Sequence, residues 1–494
     1  MTIASWILLI FYALALGFIF LYSLSQMHLV YLYLKNHQSQ QNQTPNLSPS
    51  EFPLVTIQLP VYNEKYVVER LIDCIAQIHY PKDKLEIQVL DDSTDETTEI
   101  IQKKVNYHQS KGINIQLIRR PERIGFKAGA LKYGLEKAKG EFIAIFDADF
   151  LPHANFLLQT IPHLVENEKL GVVQSRWEHI NKDYSYLTKL QAFGLDAHFT
   201  IEQVGRNSGK HFINFNGTGG VWRKSCIYDA GNWQADTLTE DLDLSYRAQL
   251  RHWEFKYLET VGAPAELPAT MNALKSQQFR WTKGAAENTM KNLSRVFAQK
   301  LPFGTKFHST FHLLNSGVFL SVLISSLLSV PVIIAKTHVS KDLVFLFQVA
   351  SLFLLSLTTL AIFYGVSYFQ LNGKSFKSVV SFLYHFPLFL SLSMGLSLHN
   401  GIAVIEGYLG IKTPFIRTPK FNIKDKKDSW KENIYKASNI GWLTIMEGIF
   451  TLYFALGIYL GIHHHDYYLV VFHTMLMFGF ATVFYYSIKH AKFS

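Results

Sequence analysis

EFIAIFDADF, residues 141–150, is an apolar run that ends in two aspartates two positions apart. A strand buried on both faces reads as such a near-continuous apolar run. Two side chains at i and i+2 of an extended chain point the same way, so Asp147 and Asp149 present their carboxylates together. Working outward, VTIQLPVY (55–62), LEIQVLDD (85–92) and INIQLIRR (113–120) have the same strand character. Helical patterns start between them, near Lys65, Asp95 and Gly125. The alternation predicts a mostly parallel α/β sheet with helices on both faces. In such sheets ligands sit beyond the carboxyl ends of the strands. Asp91-Asp92, Arg119-Arg120 and Asp147/Asp149 all fall at such ends, so one charged crevice is expected. From Gly171 to Pro268 the pattern is mixed, with strand-like VVQSRW, the glycine-bearing NFNGTGGVWR and a helix opening at TED.

The chain has 494 residues, 48% hydrophobic and 17% charged. The charges crowd into roughly 50–305, and both ends are apolar. This predicts a soluble domain, 50–305, set into a membrane protein. Ile3 to Leu34 carries no charge and is long enough to span a bilayer, so residues 1–36 read as a retained anchor and not a cleaved leader. A polar linker, Asn36 to Ser50, follows. Apolar segments return at roughly 309–335, 342–368, 378–409, 440–462 and 467–488, making 306–494 a second, helical membrane region. Leu274 to Arg295 reads as a basic amphipathic helix suited to a membrane interface. The basic loops Asn372–Lys377, Lys412–Lys436 and the terminal KHAKFS belong on one side under the positive-inside rule. Five simple crossings cannot achieve this. The segment 378–409 holds Pro387, His399, Asn400 and Glu406, and is expected to return to its starting side as an interfacial or re-entrant piece. The termini then fall N-outside and C-inside.

The net charge of +9 fits the same topology. No basic segment is interleaved with base-stacking aromatics, which excludes a nucleic-acid partner. Cys74 and Cys226 have no C-x-x-C spacing, which argues against a zinc or disulfide framework.

Hard divalent cations take oxygen ligands, and Mg²⁺ typically holds one or two carboxylates plus phosphates. Asp147 and Asp149 are therefore candidate ligands for Mg²⁺ or Mn²⁺ bridging a diphosphate. In TLTEDLDL (237–244), Asp241 is the candidate general base, with Glu240 and Asp243 as rivals, while Thr239 is placed to cap the helix. In QQFRW (277–281), Arg280 suits bidentate contact with diphosphate oxygens, and Trp281 offers a flat face to a sugar ring. Lys127 in RIGFKAGAL is placed for phosphate or base. Tyr62-Asn63-Glu64 closes the first strand where a nucleobase could dock. His463-His464-His465-Asp466 reads as a solvated turn between two spans.

These motifs, in this order, resemble the processive family 2 glycosyltransferases of the cellulose-synthase superfamily. The likeness is nearest to the plant cellulose-synthase-like A and C branches, mannan and glucan synthases. It runs from about Pro53 to Lys420 through VLDDSTD, RIGFKAGAL, IFDADF, FNGTGGVWR, TEDLDLSYRA and QQFRW. The resemblance implies a GT-A (Rossmann-like) catalytic domain, Mg²⁺ or Mn²⁺, and inversion at the anomeric carbon. By motif, Tyr62, Glu64, Asp92, Lys127 and Asp147 would bind the nucleotide sugar, and Asp147 and Asp149 the metal. Asp241 would be the base, and Gln278, Arg280 and Trp281 would line the acceptor end. The expected activity is polymerisation from UDP-glucose or GDP-mannose onto a growing glycan, with translocation through the membrane helices. Transfer to a lipid acceptor, as in ceramide glucosyltransferase, is the alternative. The catalytic domain would be cytosolic, on a bacterial inner membrane or a Golgi membrane. Two departures stand out. Phe279 replaces the histidine usual in the plant branches. FIRTPK (415–420) resembles the gating-loop pattern F-x-V-T-x-K, near 412–436, with Arg417 in place of the valine. No cyclic-dinucleotide sensor domain is expected after the last span.

Overall fold

The computed structural model describes residues 3–36, 45, 47–48, 51–337, 351–413, 417–430 and 441–492. Strands Val55–Val61 (β1), Leu85–Asp91 (β2), Ile115–Arg119 (β3), Phe142–Ile145 (β4), Leu170–His179 (β5), Gly220–Arg223 (β6) and Glu254–Ala265 (β7) form one 7-stranded sheet. Its order is β3-β2-β1-β4-β6-β5-β7. The expected strands are β1 to β4, and they pair in parallel. The sheet is mixed, because β6 runs antiparallel to both β4 and β5. That short strand comes from the glycine-bearing NFNGTGGVWR, where no apolar run announces it.

The central strands bury both faces, which is why they read as apolar runs. Glu86 lies inside the sheet, where its carboxylate accepts hydrogen bonds from Thr56 Oγ1 at 2.6 Å and Lys139 N at 2.9 Å. One core gathers Val68, Leu71, Ile101, Phe156 and Ile161 on one face of the sheet. The other gathers Leu131, Leu135, Trp222, Leu244 and Ala248 with Leu29, Val30 and Tyr33. Those last three belong to the first helix, Ile3–Asn36. The first helix is thus built into the core of the sheet domain by its final turns. Gly205 allows the approach, since a Cβ there would stand 2.7 Å from the Leu29 carbonyl oxygen.

Five helices are long and apolar enough to cross a membrane: Trp6–Asn36, Phe303–Ala335, Phe376–Gly395, Trp442–His463 and Tyr467–Ala491. Of the expected segment 342–368, residues up to 350 lie outside the described residues, and the rest is in helix Ser351–Asn372. The segment 378–409 breaks at Leu396 into Phe376–Gly395 and Ser397–Tyr408. Its first half is long and apolar enough to cross, but packs Phe382 and Phe389 around Phe193 of the catalytic domain's helix Tyr186–Ala197. Its second half lies on helix Met271–Ala298, with His399 Nε2 3.1 Å from the Lys275 carbonyl oxygen. Lys283 on that long helix is fully buried and pairs with Glu406 at 2.9 Å.

Candidate active site

The turns after β1 and β2 are tied together: Asn63 N donates to Ser93 Oγ at 2.8 Å, and Thr94 N to Asn63 Oδ1 at 2.9 Å. The two neighbouring aspartates then separate by role. Asp91 turns inward, accepting from Ser93 N at 2.9 Å and Thr98 Oγ1 at 2.7 Å. Asp92 faces the cleft and receives Arg120 in a fork, from Nε at 2.8 Å and Nη2 at 2.6 Å. Beyond β4, Asp147 N donates to Thr218 Oγ1 at 2.9 Å. Its carboxylate meets Lys127 Nζ at 2.5 Å. Burial alone would depress the Lys127 ammonium, but the carboxylates of Asp147, Glu240 and Asp241 outweigh it and hold its pKa above the usual range.

Asp241 stands in the first turn of helix Glu240–Leu250. Its Oδ1 accepts the Leu242 N–H at 2.9 Å. Gly217, at φ +78, comes so close that an added Cβ would lie 3.0 Å from Asp241 Oδ2. Burial first, then the Glu240 charge, push the Asp241 carboxyl up to about 7 against the pull of Lys127. A carboxylate titrating near neutrality suits proton abstraction. Asp243 is no rival: it is fully buried, bonded to Arg247 at 2.8 Å and Asn292 at 3.1 Å. Glu240 does face the cleft. Thr239 does not cap its helix. It accepts instead from Asn288 Nδ2 at 2.9 Å, because the long helix packs there.

Tyr62, Glu64, Asp92, Lys127, Asp147, Asp149, Asp241, Arg280 and Trp281 line one cleft of about 220 Å³. Gln278 does not join them. It lines a second cavity, of about 380 Å³, between the membrane-region helices, and Trp281 borders both. The cleft takes Gln277 instead. Helical spacing explains this, since i, i+3 and i+4 share a face, and Gln277, Arg280 and Trp281 have that spacing. Sequence reasoning also missed Arg123, whose guanidinium stacks 3.4 Å above the Tyr62 ring centroid, and Trp177, 6.3 Å from Trp281.

The segment 417–421, part of the expected gating-type loop, enters the cleft, and its pairings were not foreseen. Arg417 pairs with Glu64 at 2.7 Å, Arg280 Nη2 donates to Thr418 Oγ1 at 2.6 Å, and Lys420 Nζ pairs with Asp149. Phe421 N anchors the segment on Glu266 Oε1 at 2.9 Å. Burial raises the Glu64 carboxyl to about 7 even so. Of FIRTPK, Phe415 and Ile416 lie outside the described residues, as do 414 and 431–440 of the surrounding loop. The His463–Asp466 turn lies outside the cleft, with its three histidines exposed as expected.

Residues 53–284 match the sequence model of glycosyltransferase-like family 2. This segment belongs to that family. Among curated proteins, glucomannan 4-beta-mannosyltransferase 1 of Cyamopsis tetragonoloba is 44% identical over 264 residues, 52% of this chain and 50% of that protein. A probable glucomannan 4-beta-mannosyltransferase 4 of Oryza sativa subsp. japonica is 41% identical over 296 residues, 59% of this chain and 53% of that protein. The chain thus spans about half the length of the curated relatives it matches. Among solved structures, mannosyltransferase PcManGT from Pyrobaculum calidifontis, in complex with GDP-Man and Mn²⁺, aligns with a TM-score of 0.53 at 18% identity, over 81% of this chain and 98% of that one. The catalytic fold of this family 2 domain is GT-A, joined to a region of apolar helices.

Proposed function

We propose that the chain is a membrane-bound, inverting β-hexosyltransferase that uses GDP-mannose and extends a β-linked mannan-type glycan. One observation carries this reading. Carboxylates fit to hold a cation, a carboxylate titrating near neutrality, a guanidinium and an indole converge on one cleft, and that indole opens a second cavity among the membrane-region helices. The relatives' names favour mannose as the donor sugar over glucose.

The cleft suits a divalent cation. Asp147 and Asp149 offer hard oxygen donors, and each already holds a lysine ammonium in a cation's place. Mg²⁺ or Mn²⁺ on them would offset charge on the departing diphosphate. Lys127 and Arg280 supply further positive charge to the same oxygens. Tyr62, with Arg123 stacked on it, offers a surface for the base. The Asp241 carboxylate takes the proton of the acceptor hydroxyl as its oxygen attacks the anomeric carbon opposite the diphosphate, which inverts the centre. Trp281 supports the acceptor ring, and the lengthened chain moves toward the second cavity. The catalytic domain faces the cytosol, where nucleotide sugars are made.

The apolar share of that second lining, with Ile19, Val318, Phe319, Val322 and Leu360, favours a second reading, a lipid-linked acceptor. Membranes holding the chain, supplied with radiolabelled GDP-mannose or UDP-glucose, separate the two. Label from GDP-mannose in alkali-insoluble material with β-1,4 linkages supports the polymerase. Label that extracts entirely into organic solvent rejects it.

A further inference from the structure

Outside the lining of the cleft, three histidines from three parts of the chain converge. His28 comes from the N-terminal helix Ile3–Asn36, His211 from the catalytic domain after helix Gln203–Ser208, and His308 from helix Phe303–Leu313. One ring nitrogen of each lies within 4.8 Å of the others. None of the three lines the cleft or the second cavity. We propose that His28, His211 and His308 bind one borderline transition-metal dication of the Zn²⁺ type, which staples anchor, catalytic domain and membrane region together.

Imidazole nitrogens suit Zn²⁺, Cu²⁺ and Ni²⁺, and three protein ligands with an open fourth position make a recurrent zinc site. The nitrogens lie within 4.8 Å of one another, and the His211 ring, stacked on His308 with centroids 4.4 Å apart, must turn toward the ion. At Zn–N distances of about 2.0–2.1 Å, tetrahedral ligand atoms stand about 3.3 Å apart. His28 Nδ1 and His308 Nε2 are now 2.7 Å apart and share a proton, which the metal would replace. His28 is exposed, which leaves its ring room to turn.

The other two rings are held in place. A Cβ on Gly209 would meet His211 Cδ2 at 2.8 Å, and one on Gly304 would meet His211 Cε1 at 3.2 Å, so two glycines make room for that ring. His211 Nδ1 lies 3.3 Å from Thr305 Oγ1, which leaves Nε2 for a ligand. Such a second partner orients a metal-bound histidine. His308 is 1% exposed, and its Nδ1 has no hydrogen-bond partner among the described residues. The nearby Arg206 charge is offset by Glu202, 3.2 Å away. Glu202 also receives His198 at 2.8 Å and is ionised, its pKa held down to about 2 against burial by Arg206 and His198.

The test uses the full chain in detergent, purified through a histidine-free tag and stripped with chelator. Co²⁺ titration followed by its visible d–d absorption, and Zn²⁺ retained after desalting, are the readouts. One ion per chain is expected in the wild type and in Asp149→Ala, which alters only the cleft. His28→Gln and His211→Gln, at exposed and half-buried positions, should each weaken binding at least tenfold. Zn²⁺ should raise the thermal midpoint of the wild type and leave that of His211→Gln unchanged. Loss of the ion in Asp149→Ala would assign it to the cleft. Full retention in His211→Gln would assign it to the exposed His463–His465 turn. No retention by the wild type would leave the three rings as a hydrogen-bonded group. Any of these outcomes overturns the proposal.

Discussion

The Asp241 carboxyl titrates near 7 because burial and the Glu240 charge both disfavour its ionised form, Lys127 opposing them. The sign follows directly. The base works only when ionised, so kcat/KM should rise with pH and level off above about 8. Below the midpoint the ionised fraction falls tenfold per pH unit. The rate at pH 6 should be about a tenth of the plateau, and at pH 5 about a hundredth, for one such group. Asp241→Asn should lower kcat by roughly 10²–10⁴-fold, the usual share of a positioned base, with little loss of nucleotide affinity. Glu240→Gln should move the acid limb to lower pH, because it removes a charge that raises the Asp241 pKa. Glu64 also titrates near 7, so Glu64→Gln is the necessary control, and it should keep a limb of unit slope. Initial rates of nucleotide release across pH 5–9, at donor concentrations far below KM, give the profile. A limb that survives in the residual rate of Asp241→Asn, or vanishes in Glu64→Gln, would refute the assignment of the base. Equal losses of nucleotide affinity and of rate in Asp241→Asn would make it a binding residue.

Transfer should stop in excess chelator and return with Mg²⁺ or Mn²⁺, and Asp149→Ala should weaken donor binding measured by calorimetry; full activity without metal counts against the cation site. Trp281→Ala should shorten product more than it slows donor hydrolysis, since water needs no stacking surface. By analogy with base–aromatic stacking the loss is on the order of 1–3 kcal/mol, roughly 5- to 150-fold in affinity for the chain end, and gel analysis of product length against free nucleotide reads it. Full-length polymer at the normal rate would remove Trp281 from the acceptor path. Single cysteines at Lys424 and His464, labelled with an impermeant reagent in sealed vesicles of one orientation, should react on opposite sides, and equal reaction would overturn the topology.

The strands β1 to β4 were legible because each is buried on both faces and so spelled in apolar residues, with its charges pushed to the carboxyl end. β6 was not, since four residues that begin on the second of two glycines carry no periodicity, and its antiparallel direction depends on partners far away in sequence. The cleft's carboxylates were legible for the same reason as the strands: a buried run that stops at an aspartate marks a functional edge. Gln278 took its expected role from the motif resemblance alone, and the turn of the helix sends it and Gln277 to different cavities.

The resemblance to a gating loop marked residues 415–420, but the pairs they make lay beyond local reading. Lys420 meets Asp149 across 271 residues, and no pattern near either one signals the other. Arg417 departs from the family pattern's valine, and in the fold its partner is the buried Glu64 carboxyl, which the Lys420 charge also favours. Buried charges are held only when paired, and Asp149, 6% exposed, falls under the same constraint. A dication on Asp147 and Asp149, as proposed, would therefore compete with two ammonium groups rather than with water. Its affinity would be lowered by whatever holds Lys127 and Lys420 in place. Lys127 is fixed on the Gly217 carbonyl at 2.9 Å, whereas Lys420 is carried by a segment anchored through Phe421 and Thr418. Asp147 is thus met by a lysine held within the sheet domain, and Asp149 by one carried on the 417–421 segment.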